Sequence, residues 1–518
     1  MREQEERRRV GIMDIGSNSI RLVIYETGDG GGYQVLKECR ESARLSAIVT
    51  PEGDMPLEAV SVIVPVLKQF AEVSVAYEVE EIRAVATAAI RNASNGEEVI
   101  DYLNRETGLT IELLPGEMEG HYGFIGVVNR IDIEDGYIID IGGGSTEITL
   151  FRDRARVSSV SFPFGAVNMN VRFGNETTGR WEESSVEELR QLVLDAAQKH
   201  EWISEHPDLP MVGLGGTIRA VGKMHQRKLK YSLEQIHHYT LEAEDTDYYY
   251  QQLPAMSNDQ RKRIAGLSKT RSDIIVPGVI ILNTLFRYMH CSHYVISGTG
   301  LRDGLFFEWE RGKDNAIVED VLEYEIGAAL HGEPLPRQRH LRWVQQLSSE
   351  LYEALGEGQG DVSNRKILRT ASLMYRVGMK IGYHDFEEHT RYLLTTRAVA
   401  GLNHRETVLV AFIAIFGSKG KIKKRRISTE YADILHPKDE ERIRRLGAVL
   451  QLAAAMDVSE TQPVDRLVAV RKGRDFELTV HCHTEASMET HEITEAVRDL
   501  EKEWDVRVRL VVHMVSKN

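Results

Sequence analysis

Cysteine is scarce in this sequence, with only Cys39, Cys291 and Cys482 in 518 residues. Their wide separation suggests neither a disulfide framework nor a zinc pattern, and it fits a reducing cytoplasm. Long apolar runs are lacking as well. The longest, near Val408 to Phe416, falls short of the ~20 residues that a bilayer-spanning helix needs. The segment Met1 to Arg9 is charged and has no apolar core, so neither secretion nor a membrane span is expected. An excess of positive charge is also missing. A net charge of −15 and a pI of about 5.7 argue against general nucleic-acid binding, although a polyanion can still bind where basic residues cluster. Finally, the glycine-rich turns spell neither GxxxxGK[ST] nor GxGxxG, so the P-loop and dinucleotide readings fail.

What the sequence does contain is one turn written twice. Asp14-Ile15-Gly16-Ser17-Asn18-Ser19 and Asp140-Ile141-Gly142-Gly143-Gly144-Ser145 share the pattern D-I-G-x-x-S. Apolar runs precede them, at Val10 to Met13 and Tyr137 to Ile139, and alternating runs follow, at Ile20 to Tyr25 and Glu147 to Phe151. Each copy reads strand, turn, strand. Glycine lets a backbone approach an oxyanion closely, while Ser and Thr leave N–H and hydroxyl groups to donate to phosphate oxygens. Ser17, Asn18, Ser19, Gly143, Gly144, Ser145 and Thr146 are the donors this predicts. The aspartate that ends each first strand can orient Mg²⁺ or a water.

The chain is long enough for three or four domains. Residues 1–127 and 128–311 read as two mixed α/β domains, each carrying one copy of the turn, with further glycine turns at Met211 to Thr217 and Tyr294 to Gly300. A ligand is expected in the cleft between them. Residues 312–463 read as all-helical, with long periods at Leu341 to Leu355, Asn364 to Lys380 and Glu440 to Met456. Residues 464–518 read as a small α/β domain.

Six segments, in order, carry a family resemblance: Asp14 through Ser19, Thr87 through Arg91, Gly116 through Glu119, Asp140 through Glu147, Gly213 through Thr217 and Ser297 through Gly304. Together they resemble the exopolyphosphatase and guanosine pentaphosphate phosphohydrolase family in its long form. The resemblance implies two actin-like (ribonuclease H-like) α/β domains around a central cleft, a helical HD-like domain and a small C-terminal α/β domain. It also implies a cytoplasmic, Mg²⁺-dependent, homodimeric hydrolase with a place in the stringent response. The implied reaction is hydrolysis of the terminal phosphoanhydride of inorganic polyphosphate. Alternatives are a guanosine pentaphosphate 5′-phosphohydrolase and a non-catalytic polyphosphate or nucleotide sensor.

Residue by residue, Glu119 matches the family's catalytic carboxylate and is assigned as general base, with Glu117 as its neighbour and competitor. Asp140 and Glu147 match ligands of Mg²⁺ or of the attacking water, with Asp14 facing them. Arg91 matches a phosphate-contacting arginine, and Arg271 fits a further family pattern. Two departures stand out. Met118 and His121 replace residues that are often acidic and basic, and the position of the HD-type His-Asp pair reads Tyr375-Arg376. His340 and His389 are therefore expected to be structural or solvated, and His481-Cys482-His483 alternates across a strand rather than forming a metal cluster. Lys419, Lys421, Lys423, Lys424, Arg425 and Arg426 form the densest basic run, a candidate guide for a long polyphosphate.

Overall fold

Val10, Ile12, Met13 and Ile15 are all buried, as in a strand covered on both faces. They lie on β1 (Arg8–Ile15), the centre of a five-stranded sheet. A computed structural model describes residues 7–28, 32–50, 52–175, 177–356, 361–417 and 429–514. Beside β1 lie β2 (Ser19–Thr27), β3 (Tyr33–Ser42), β4 (Glu81–Ala86) and β5 (Ile111–Leu113) in the order β3-β2-β1-β4-β5. The second sheet contains β6 (Gly136–Ile141), β7 (Thr146–Arg152), β8 (Ala155–Phe162), β9 (Met211–Leu214), β10 (Tyr239–Leu241) and β11 (Tyr294–Ile296). Its order is β10-β11-β9-β6-β7-β8.

Without the antiparallel edge strand β10, the second sheet repeats the first. In both, the first three strands pair antiparallel and the next two pair parallel. The register repeats as well: Asp14 stands opposite Arg21, and Asp140 opposite Glu147, each partner seven residues on. Both second strands break register at the same place, Ile24/Tyr25 and Leu150/Phe151, ten residues after the aspartate. This duplication is the actin-like arrangement expected from the motifs.

Helix Gly116–Val128 follows β5 and carries glycines at 116, 120, 123 and 126. Their missing side chains let it lie very close to the second half. A Cβ on Gly116 would come within 2.6 Å of Ser161 Cβ, one on Gly120 within 2.5 Å of Ser159 Oγ, and one on Gly126 within 2.3 Å of the Gly300 carbonyl oxygen. Helix Leu301–Arg311 reciprocates, since a Cβ on Gly304 would sit 2.0 Å from the Tyr122 carbonyl oxygen. The first half thus delivers the start of this helix onto the second sheet. The stretch Leu57–Ala76 has the length and apolar composition of a membrane-crossing helix, but its residues Val60, Ile63, Leu67 and Phe70 are buried in the core of the first sheet.

The chain forms two compact units, the first of residues up to Tyr231 and from Ile236 to Val321, the second of Ser232–Gln235 and the residues from Leu322 on. The second is helical and then α/β. Its helix Leu335–Ala354 begins six residues before the expected Leu341, because Pro336 is tolerated in a first turn. The helix expected over Asn364 to Lys380 instead stops at Met374, and a 3₁₀ turn, Val377–Lys380, follows. The cause is a close approach: a Cβ on Gly378 would fall 2.2 Å from the Phe386 carbonyl oxygen. Strands β12 (Val464–Lys472), β13 (Asp475–Cys482) and β14 (Arg507–Met514) form the last sheet, with helix Ser487–Trp504 between β13 and β14.

Within this unit His340 and Asp457 are fully buried and hydrogen-bonded at 2.9 Å, with the Tyr375 hydroxyl on the other ring nitrogen of His340. Arg376 pairs with Glu460. His389 is half-buried. Cys482 is buried, whereas His481 stacks on His513 at 5.5 Å. The basic run from Lys419 to Arg426 lies outside the described residues.

Candidate active site

The two glycine turns have one construction. Gly16 N–H donates to the Ser19 carbonyl at 3.2 Å, and Gly142 N–H to the Ser145 carbonyl at 3.0 Å. Segments behind each turn occupy its carbonyls. Ser46 N–H binds the Ser17 carbonyl and Arg44 N–H the Asn18 carbonyl, while Ala166 and Val167 N–H bind those of Gly142 and Gly143. Among the described residues, the N–H groups of Ser17, Asn18, Gly143 and Gly144 donate to no acceptor. Successive unpaired amides of this kind form anion-binding concavities. The turns also touch, since a Cβ on Gly143 would lie 2.8 Å from Ser17 Cβ.

One cleft joins the halves. Its lining includes Asp14, Ser17, Asn18, Ser19, Glu119, Asp140, Gly143 and Arg271 from the sequence expectations. Gly144, Ser145, Thr146, Glu147 and Arg91 lie outside the lining. The Thr146 hydroxyl donates to the Phe164 carbonyl at 2.7 Å. Ser145 and Glu147 are buried, and Glu147 Oε1 accepts from Ser161 at 2.6 Å.

Glu119 stands in the first turn of helix Gly116–Val128. Its Oε2 accepts from Arg91 Nη1 at 2.7 Å, and the same nitrogen donates to the Leu114 carbonyl at 3.0 Å. Arg91 Nη2 lies 3.8 Å from Glu147 Oε1. Burial pushes the Glu119 carboxyl up to about 7, against the pull of Arg91 and with a further push from Asp140 and Asp14. An acid of that strength can hold or release a proton at neutral pH, as a general base requires. Glu117, by contrast, is exposed and pairs with Arg156 at 3.3 Å.

Asp14 and Asp140 accept no hydrogen bond and form no ion pair among the described residues. Burial raises both, Asp140 to about 6, with Asp14 adding a further push there. Two half-buried, acceptor-only carboxylates from opposite halves suit a hard divalent cation, which binds one or two carboxylates plus waters and phosphates. Gly215, at φ +78°, keeps the space open, because a Cβ there would sit 2.5 Å from Asp140 Oδ1.

Sequence reasoning missed three arginines of the lining, Arg21, Arg219 and Arg302. Arg219 Nε donates to the Gly215 carbonyl at 2.7 Å, and Arg302 pairs with Glu38 at 3.2 Å. Burial lowers Arg21 to about 10, with Arg302 and Arg219 adding like-charge repulsion; Arg271 is also lowered to about 10, by burial and by Arg40 and Arg219. A signal for each was present. Arg21 holds in the first hairpin the position that Glu147 holds in the second. Arg219 follows β9 by five residues as Arg91 follows β4, both after an isoleucine, and Arg302 lies inside Ser297 to Gly304.

The comparisons with known proteins agree with this construction. The model of the Ppx/GppA phosphatase family matches residues 23–312, more than half of the chain, and its domain III matches residues 337–503. Exopolyphosphatase 1 of Mycobacterium tuberculosis is 24% identical over 342 residues, covering 64% of this chain and 96% of the relative. The crystal structure of the Aquifex aeolicus family member is 27% identical with a TM-score of 0.50, covering 58% of this chain and 96% of that one. An exopolyphosphatase structure from Cytophaga hutchinsonii shares the fold at 22% identity and a TM-score of 0.55, covering 60% of this chain and all of that one. Matched by the family model over more than half of its length, this chain belongs to the Ppx/GppA phosphatase family.

Proposed function

We propose that this chain is an exopolyphosphatase, hydrolysing the terminal phosphoanhydride of inorganic polyphosphate to release orthophosphate. The observation that carries this reading is the content of one cleft: four arginines, two turns of unpaired amides and a carboxyl poised at about 7. Phosphoanhydride hydrolysis needs neutralised phosphate oxygens, a positioned water and a group that takes its proton. Ser17, Asn18 and Gly143 offer N–H donors to the terminal phosphate, and Arg21, Arg219, Arg271 and Arg302 offset its charge. Glu119, held by Arg91, takes the proton of the attacking water. Asp14 and Asp140 would hold Mg²⁺, with Glu147 across the β6–β7 pair from Asp140, and a metal there would supply charge neutralisation at the phosphate oxygens. The exopolyphosphatase named among the relatives, matched over nearly its whole length, supports polyphosphate over guanosine pentaphosphate. The same reading includes a cytoplasmic location, in keeping with three free thiols, and a homodimer.

The test is orthophosphate release from long polyphosphate, guanosine pentaphosphate and ATP, with and without Mg²⁺, by wild type and Glu119→Gln. Polyphosphate is expected to be the best substrate, and loss of the base should lower kcat by about 10²–10⁴. Equal turnover by Glu119→Gln refutes the assigned base. Absence of polyphosphate turnover by wild type refutes the function.

A further inference from the structure

Arg21 on β2 and Arg40 on β3 stand directly opposite each other in the sheet. Like charges in that position destabilise a strand pair. Asp14 stands opposite Arg21 on its other side, so Asp14, Arg21 and Arg40 form a row across three strands on one face. The row runs from the catalytic cleft to the edge of the sheet, because β3 is the edge strand. Two strand spacings of ~4.8 Å separate the backbone at its ends by roughly 10 Å.

The guanidiniums along this row have few partners. Arg21 Nε donates to Ser19 Oγ at 3.3 Å, and neither Arg21 nor Arg40 forms an ion pair among the described residues. Arg40 is exposed and lies outside the cleft lining. Arg271 approaches from the second half, close enough for Arg40 to add to its like-charge repulsion, as it does for Arg21. Arg271 forms no ion pair among the described residues either, and its neighbour Asp273 is engaged by Arg44 at 3.0 Å. Glu38, on the same face of β3 as Arg40, is engaged by Arg302. Arg21 and Arg271, from the two halves, line the cleft, and Arg40 stands opposite Arg21 at the sheet edge, none of the three with an ion-pair partner among the described residues. A polyanion leaving the cleft would relieve this repulsion.

We propose that Arg40 is a specificity-determining residue, which binds phosphates several units behind the scissile bond, beyond those held by Arg21 and Arg271 in the cleft, and so favours long chains over short ones. This inference rests on the polyphosphate reading above. Tripolyphosphate ends inside the cleft, whereas a long chain continues along the row to Arg40.

The experiment measures KM and kcat for tripolyphosphate and for a long polyphosphate, at low and high salt, in wild type, Arg40→Gln and Arg40→Lys. Arg40→Gln is expected to raise the ratio of the long-chain KM to the tripolyphosphate KM about fivefold or more. Its long-chain KM should also depend less steeply on salt, and Arg40→Lys should recover part of the ratio. Without enzyme turnover as readout, long polyphosphate should raise the melting temperature of Arg40→Gln less than that of wild type. If wild type cleaves polyphosphate but Arg40→Gln leaves the ratio within twofold, the inference is overturned while the function stands. If wild type cleaves no polyphosphate, both fall.

Discussion

Replacing Arg91 with glutamine should move the acid limb of the pH profile upward. The Arg91 and Glu119 side chains are only 17% and 14% exposed, and their 2.7 Å contact is a charge-assisted hydrogen bond in a low-dielectric setting. Such a bond contributes about 1.5–3 kcal/mol, and 1.36 kcal/mol corresponds to one unit of pKa. Burial already holds Glu119 at about 7, with Arg91 as the largest opposing influence. Without the guanidinium, the acid limb should therefore rise by about one pH unit or more. The sign follows from the role: a base works ionised, so a carboxyl that ionises at higher pH costs activity at and below neutrality. At pH 7 the ionised fraction falls from about half to about a tenth, lowering kcat/KM about fivefold through protonation alone. Activity should recover toward pH 9. The assay is kcat and KM for orthophosphate release between about pH 5.5 and 9.5. A raised KM with an unmoved acid limb would refute the reasoning and assign Arg91 to the substrate phosphate instead, the role the motif resemblance implied.

Further consequences concern stability. A buried carboxyl raised from 4.5 to about 7 binds its proton more tightly folded than unfolded, so its penalty is absent below about pH 4.5 and grows until about pH 7. Denaturant titrations should thus show Glu119→Gln gaining ~3 kcal/mol relative to wild type between pH 4.5 and pH 8; a pH-independent difference would contradict this. Gly304→Ala should cost about 1–3 kcal/mol or more through overpacking, since its Cβ would lie 2.0 Å from a backbone oxygen, and thermal melting at wild-type level would show the helix crossing to be loose. His340→Ala leaves the fully buried Asp457 without one donor and should destabilise the helical unit by about 1–3 kcal/mol while leaving KM for tripolyphosphate unchanged.

Much of the fold was legible because its signals are local. The apolar runs before Asp14 and Asp140 and the alternation after them identify strands, and the repeated turn between them identifies a duplication. Boundaries failed where a distant contact intervened. The helix expected through Lys380 stops at Met374 and gives way to a 3₁₀ turn, in which Gly378 lets the segment starting at Phe386 pass against it. The site was legible where it coincided with the glycine motifs. It was less so for arginines, whose long side chains make sequence position a poor guide to where the charge lies. Arg21 resembles an ordinary strand residue until its register with Asp14 is known, and Arg40 resembles a surface charge until it is seen opposite Arg21.

By itself the sequence determined two strand–turn–strand units with glycine and serine in their turns, since the apolar and alternating runs that flank them are local signals. The tertiary structure decided that the two turns face each other and which side chains meet between them. Glu119 belongs to the first half in sequence, yet it lies beside the second sheet because glycines at 116, 120 and 126 let its helix settle there. Its proton affinity is likewise a tertiary property. Burial, Arg91, Asp14 and Asp140 set it together, and these groups come from separate segments of the chain that only folding brings into one low-dielectric space.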